Sequence, residues 1–471
     1  MEKWFTHIVP NQFLFLNDFL LAPVAVLLIW ILAKTYARKQ KSAIYKKYFV
    51  QAILVRIGFS ILMAFVYQYH YGGGGDTNTF FTYSLTLRNI LYENPEDFFK
   101  LLFLSPSDYF LANNYFAPGT EFFVNASSNL VIRLTTLLSY PLLNTYILIS
   151  FCFSLFCFYG CWKIFKLFHQ LYPHLEREFA FACLFIPSVC FWGTGILKDP
   201  LCLGALGALT YHLYKLIFER TKVFKRLILI IFCFWMLKNI KTYIILSFLP
   251  AYAFWVFFRY KELINSRILK GVMSPIIFII SIGIGIFVLF KVAAFSDRYA
   301  LDQLMRTAKD TQNWIYYSSM LQGGSGYNLG DIEYSTMGLL KVFPKAVNVS
   351  LFRPYLWEAK KPILLPAAIE GVVSLFFTIR LLYKCGFIRF TKLIFSNPEV
   401  QFCMIFSVAF AFAVGFTSFN FGSLVRYKIP LMPFYFIALF ILADKDKTDL
   451  ENTAPRKKMP SKKPRPALAI S

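Results

Sequence analysis

The run His70-Tyr71-Gly72-Gly73-Gly74-Gly75-Asp76-Thr77-Asn78 joins the end of an apolar stretch to a mixed, more polar one. Its four glycines leave the backbone bare, so a large ligand can approach closely and φ can turn positive without steric cost. Asp76 is the first charge after them. A carboxylate so placed can take the proton of an attacking hydroxyl. The plainer reading of the same residues is a flexible loop with a solvated acid. Lys198, Lys238, Lys241, Arg353, Arg426 and Lys428 are the cations that matter beside it. Cations gathered before an acid suit a phosphate-bearing lipid: they hold phosphate oxygens while the carboxylate acts on the nucleophile.

The elements that must position these residues are membrane helices. Hydrophobic residues make up 57% of the chain and charged ones 16%, which is no soluble surface. Apolar runs of about 20 residues recur, each long enough to cross hydrocarbon about 30 Å thick. The 55 Phe and 28 Tyr suit lipid-facing helices with aromatic belts. The net charge of +24 falls mostly in short loops between apolar runs, the positive-inside pattern, and brings attraction to anionic headgroups with it. No basic face interleaved with stacking aromatics stands clear of these runs, which argues against nucleic acid as a partner.

The nine cysteines, among them Cys157 and Cys161 on one helix face, read as small buried apolar residues, with no His or second thiol pair to complete a metal site. The five histidines are scattered. The sequence points to no cofactor and leaves a divalent metal open.

A first helix over about 13–32 is followed by Lys34, Arg38, Lys39, Lys41, Lys46 and Lys47, so it is read as uncleaved, with the N-terminus outside. A second over about 49–69 delivers the glycines to the outer face, with Arg56 near its inner end expected to snorkel to the interface. The outer loop, about 70–140, carries turn signals at Asn94-Pro95, Ser105-Pro106, Pro118-Gly119 and Asn125-Ala126, and is expected to form interfacial helices. Helices over 141–162, 179–195 and 201–218 follow. Between the inner clusters Arg220 to Arg226 and Arg259 to Lys270, two short segments meeting at Lys238-Asn239-Ile240-Lys241 form a hairpin; a single long helix competes. A helix over 271–295 leads to a second outer loop, about 296–361, with Gly323-Gly324-Ser325-Gly326. Segments 363–382, 400–416 and 429–443 bring the total to about eleven crossings. The predicted fold is an all-α polytopic membrane protein, residues 1–447, with a disordered basic inner tail at 448–471.

This topology sets the six cations at or near outer helix ends, beside Asp76 and against the inside-positive trend. Ionisable groups at membrane depth are costly, which makes them functional candidates. Each has a plainer reading. Asp199-Pro200 after Lys198 is a good N-cap and N1 pair. Lys238 and Lys241 suit a hairpin turn, Arg353 a surface pair with Glu358, and Arg426 an outward snorkel.

The glycine-Asp loop, Pro187-Ser188-Val189-Cys190-Phe191-Trp192-Gly193 with Lys198-Asp199, Lys241-Thr242-Tyr243 ahead of Pro250, and Arg426-Tyr427-Lys428-Ile429-Pro430-Leu431-Met432-Pro433 are together similar to bacterial GT-C-type glycosyltransferases. These are polytopic enzymes of the cytoplasmic membrane that use polyprenyl-phosphate-linked sugars. The resemblance implies Asp76 as base toward an acceptor hydroxyl, and Lys198 and Arg426 on the lipid phosphate. The charge argument adds Lys241 and Arg353 as phosphate ligands. The donor is substrate rather than cofactor, and the acceptor a glycan, a lipid or a protein. The chain departs from the family where Thr77-Asn78-Thr79 follows Asp76 in place of a second acid, and in lacking a large soluble C-terminal domain. The expected function is sugar transfer at the outer face in cell-surface glycan assembly. A polymerase of lipid-linked glycans, a transporter or flippase for a lipid-linked or anionic substrate, and a scaffold subunit are the alternatives.

Overall fold

The computed structural model describes residues 12–104, 115, 123, 125–263, 309, 310, 317, 325–330, 332 and 336–453. Among them every regular element is helical, apart from one bridge between Gly326 and Asn420. The expected 271–295 crossing, the turns at Ser105-Pro106 and Pro118-Gly119, Gly323-Gly324 and the tail after Thr453 lie outside the described residues.

The chain opens with α1 (Leu16–Arg38) and α2 (Ala43–Phe65), the latter capped by Ser42 and widened into a π turn over Val66–His70. Three amphipathic or polar helices follow: α3 (Asp76–Glu93), α4 (Pro95–Phe103) and α5 (Ala126–Ser139). The turn signals of the sequence become helix starts here. Asn94 and Asn125 accept backbone N–H groups as N-caps, and Pro95 takes N1, where its missing N–H costs nothing. Then come α6 (Tyr146–Leu171), α7 (Glu176–Ala180), α8 (Pro187–Trp192), α9 (Lys198–Tyr214), α10 (Val223–Ile240) and α11 (Thr242–Leu263). The remainder holds α12 (Thr336–Phe352), α13 (Leu365–Cys385), α14 (Phe387–Ser396), α15 (Pro398–Ser418), α16 (Phe421–Tyr427) and α17 (Met432–Thr453).

Seven of these helices are long and apolar enough to cross a membrane, and α16 with α17, bent by 66°, make an eighth if counted as one span. The protein is thus a polytopic helical membrane protein. On α1 the exposed side chains include Leu16, Leu20, Leu27 and Leu28, an apolar face that suits lipid.

The expected helix over 179–195 is broken. It passes through a π turn at Phe181–Phe185 and stops at Ile186, because Pro187 supplies no N–H and pushes the residue before it out of the helical region. The hairpin after α9 forms, with full-length arms rather than short ones. At its tip Lys241 meets Asp199 at the start of α9, while Trp255 and Tyr260 of α11 reach Tyr214 and Ile217 near the other end. Backbone contact fixes α6 against α9: a Cβ on Gly160 would lie 2.2 Å from the Gly204 carbonyl oxygen. Small residues are what let two membrane helices approach this closely.

Arg56 corrects the sequence reading. It does not snorkel; it is fully buried, and Nη1 donates to the Val189 carbonyl at 2.7 Å and the Gly193 carbonyl at 3.4 Å. These oxygens close the C-terminal end of α8, where a cation meets the negative end of the helix dipole. The thiols of Cys157 and Cys161 complete its surroundings.

Candidate functional site

Asp76 is the first residue of α3 rather than a loop acid, a position the helix dipole favours for a carboxylate. The glycines make that start possible. Gly72, Gly73 and Gly75 all have positive φ, and a Cβ on Gly75 would come within 2.9 Å of Cε1 of Tyr67. Gly73 N–H donates back to the Tyr67 carbonyl at 2.9 Å, folding the turn onto the end of α2. Thr77 then bonds Tyr146 at 2.6 Å and so pins the first turn of α3 to the start of α6.

Arg426 reaches Asp76 from α16. Its Nη1 donates to Oδ2 of Asp76 at 2.6 Å, and its Nε donates to Oδ2 of Asp199. Oδ1 of Asp199 accepts from Lys241 at the tip of the α10–α11 hairpin. The result is a chain, Asp76, Arg426, Asp199, Lys241, that ties four separate segments together. Asp199 is fully enclosed, Lys241 and Arg426 are 8% and 11% exposed, and Asp76 is the open end at 34%. Oδ1 of Asp76 has no hydrogen-bond partner among the described residues. The ring of Tyr427 lies 4.2 Å below the Lys241 ammonium and 5.7 Å from the Arg426 guanidinium carbon. Lys198 stands beside the chain: it donates to Ser127 at 2.8 Å and is within electrostatic reach of Asp76, Asp199, Lys241 and Arg426.

Local structure explains why Arg426 arrives here. Asn420 caps α16, accepting from Gly422 N–H at 2.7 Å. Ser325 to Tyr327 clamp its start through Tyr327 N–H to Phe419 and Phe421 N–H to Ser325. Pro430 and Pro433 then deny the helix its continuing N–H groups, and the chain bends into α17.

Four of the five sequence candidates, Asp76, Lys198, Lys241 and Arg426, are therefore brought together. Arg353 is not among them. Its guanidinium forks onto Glu358, with Nε 3.1 and 3.0 Å from the two carboxylate oxygens, and no contact among the described residues joins it to Asp76. Burial pushes the Glu358 carboxyl up, but the Arg353 bond and the Tyr355 N–H outweigh it and hold the group below its ordinary range. Lys428 is fully buried and donates to the Arg353 carbonyl at 3.2 Å, within reach of Glu370, which accepts both the N–H and the hydroxyl of Ser188. Lys238 lies in the last turn of α10.

The residue missed as a participant is Asp199. Its place before Pro200 suggested capping, yet α9 begins at Lys198 with no side-chain cap, and both Asp199 oxygens serve cations. The available signal was charge: an acid inside the segment that carries Lys198. Among the described residues no three His, Cys, Asp or Glu side chains gather as a metal site. Three cations against two carboxylates leave the cluster one positive charge in excess, open to solvent at its Asp76 end, which is the chemistry for a phosphate beside a base. Compared with known families, curated proteins and solved structures, the chain matches none.

Proposed function

We propose that the protein is a GT-C-type membrane glycosyltransferase that moves a sugar from a polyprenyl-phosphate donor to an acceptor at the outer face of a bacterial cytoplasmic membrane. The observation that carries this reading is the chain from Asp76 through Arg426 and Asp199 to Lys241, with Lys198 beside it. Asp76 takes the proton of the acceptor hydroxyl as its oxygen bonds the anomeric carbon. The bond from that carbon to the phosphate oxygen breaks, and Lys198 and Arg426, backed by Lys241, stabilise the charge left on the phosphate. Asp199 is a positioning residue that aims Arg426 and Lys241.

A lipid-linked donor also needs room for its chain. An apolar groove of about 630 Å³ runs between α1 and α2, lined by Phe19, Pro23, Leu54, Phe65 and Ile147 among others. In the proposed topology the seven apolar helices, the bent α16–α17 pair, α10 and the broken 176–192 segment supply ten of about eleven crossings, and the remaining one, expected over 271–295, lies outside the described residues. The N-terminus is then outside and the C-terminus inside.

The test is Asp76→Asn at matched expression in a strain lacking the native gene, with lipid-linked sugars and surface glycans read by mass spectrometry. Transfer is expected to fall by roughly 10²- to 10⁴-fold. A wild-type rate removes Asp76 as the base. The identity of the glycan separates a transferase from a polymerase. A second reading, transport, is favoured by the broken helices α7–α8 and α16–α17, since interrupted helices frame the sites of many transporters. Substrate movement without a new glycosidic bond selects it.

A further inference from the structure

At the opposite end of the bundle a second set of cations gathers, and no reading of the Asp76 site uses it. Lys163 on α6 lies over the rings of Tyr159 and Tyr211, 5.1 and 4.8 Å from their centroids. It is within electrostatic reach of Lys166, Lys215, Lys225 and Arg226. Glu219, the acid close by among the described residues, accepts from Lys215 and from Gln170 and is within electrostatic reach of Arg226. Among the described residues no carboxylate lies within ion-pair distance of Lys163, Lys225 or Arg226.

Two further features point the same way. His212 is 6% exposed and within reach of Lys163, Lys225 and Arg226; Nε2 meets Tyr159 at 3.0 Å, while Nδ1 is buried without a hydrogen-bond partner. Nη1 of Arg226 is likewise buried and unpartnered. Lys225 and Arg226 also occupy the first turn of α10, which has no acid there and no capping side chain. Cations at the positive end of a helix dipole repel it and one another unless an anion sits between them. Arg220 and Lys222, just before, hold left-handed backbone with φ of 50°, a conformation unusual for such side chains.

We propose that Lys163, His212, Lys225, Arg226 and the N-terminus of α10 bind a phosphate group, supplied by the headgroup of an anionic lipid in the leaflet at this end. The lipid source follows from what adjoins the cations. Phe224 is 79% exposed, and Val223, Leu227, Ile228 and Ile231 are exposed along α10, a surface for acyl chains running away from the charged turn. Basic pockets between membrane helices have this composition when they hold lipid phosphates.

The full chain in phosphatidylcholine nanodiscs with and without phosphatidylglycerol tests the site, with retained lipid counted by native mass spectrometry and stability followed by melting. Inorganic phosphate titrated into detergent-solubilised protein is the soluble arm. Phosphatidylglycerol is expected to be retained and to raise the melting temperature, and Lys163→Gln and Arg226→Gln each to weaken retention by roughly fivefold. Arg226→Lys should recover part of that loss. Lys39→Gln removes an exposed cation from the same end and should change little. If Lys39→Gln costs as much as Lys163→Gln, general surface attraction explains the binding and the site is wrong. Stabilisation by phosphate but not by phosphatidylglycerol overturns the lipid source, and stabilisation by neither overturns the site. Lys225→Gln, at an exposed position, replaces either variant that fails to fold.

Discussion

Asp199→Asn separates positioning from chemistry at the Asp76 site. The substitution keeps the shape of the side chain and removes its charge. Asp199 is fully buried and serves two cations, so its loss is felt unequally by them. Arg426 keeps Asp76, while Lys241 keeps only a neutral amide oxygen and the ring of Tyr427 at 4.2 Å and becomes a buried cation without a carboxylate. Removing one member of a buried pair costs about 3–5 kcal/mol, most of it the desolvation of the ion left behind. With an unfolding entropy of about 2.1 cal/mol/K per residue, that is a fall in Tm of roughly 3–5 °C for a chain of this length. Asp76→Asn is the control. Asp76 is 34% exposed and its partner retains Asp199, so the cost is about 1 kcal/mol at most, a shift of roughly 1 °C. Melting of purified protein in detergent, followed by tryptophan fluorescence with Trp255 buried in the core, reads both. The two variants should therefore invert: Asp199→Asn melts early, and Asp76→Asn melts normally but loses transfer. An Asp199→Asn protein that melts with the wild type, or an Asp76→Asn protein that melts earlier than the Asp199→Asn protein, would refute the burial argument for which acid positions and which one acts.

Gly75→Ala places a side chain at φ of 93° with its Cβ 2.9 Å from Tyr67. It should cost about 1–3 kcal/mol and shift α3 enough to lower transfer, whereas Gly72→Ala, with open space around its Cβ, should be milder in both melting and transfer assays. The Arg353–Glu358 pair predicts a pH dependence. The Glu358 carboxyl is held below its ordinary range, so its contribution is complete above that range and is lost as pH falls through the depressed value. Melting from about pH 7 down to about pH 3 should fall less steeply for Glu358→Gln than for the wild type, and parallel curves would show that the pair contributes nothing.

Much of this fold was legible because membrane helices announce themselves by length, apolarity and flanking charge. The α1 and α2 helices and the hairpin at Lys241 follow from those signals, whereas Asn94 and Asn125, read as turn signals, are the N-caps of α4 and α5. Arg56 was not legible: near the end of an apolar run an arginine most often reaches for the interface, and only the tertiary approach of α8 supplies the carbonyls that let it stay buried. The break at Ile186 was carried by Pro187, yet an apolar run on both sides masked it. At the site, cations on one face were readable as exceptions to a charge rule. Which acid each would meet was not, because pairing depends on contacts between residues hundreds of positions apart, as Arg426 and Asp76 are.

The position of Arg426 between two acids bears on how the cluster would answer a substrate. In the resting arrangement its charge is shared by Asp76 and Asp199, and Lys241 is neutralised by Asp199 alone. Lys198, bonded to the neutral hydroxyl of Ser127, is the cation with least local compensation. A phosphate arriving at the open end can therefore take the excess charge at Lys198 without breaking a buried pair. It can then draw Arg426 from Asp76, since the donor's phosphodiester anion offers two unesterified oxygens to the guanidinium while Asp199 holds the other edge of the fork. Freed on its Oδ2 as well as its Oδ1, Asp76 would then face the acceptor as a base only when the donor is present. In the proposed mechanism the buried acid keeps the cations in place, and the exposed one is released when they bind the donor phosphate.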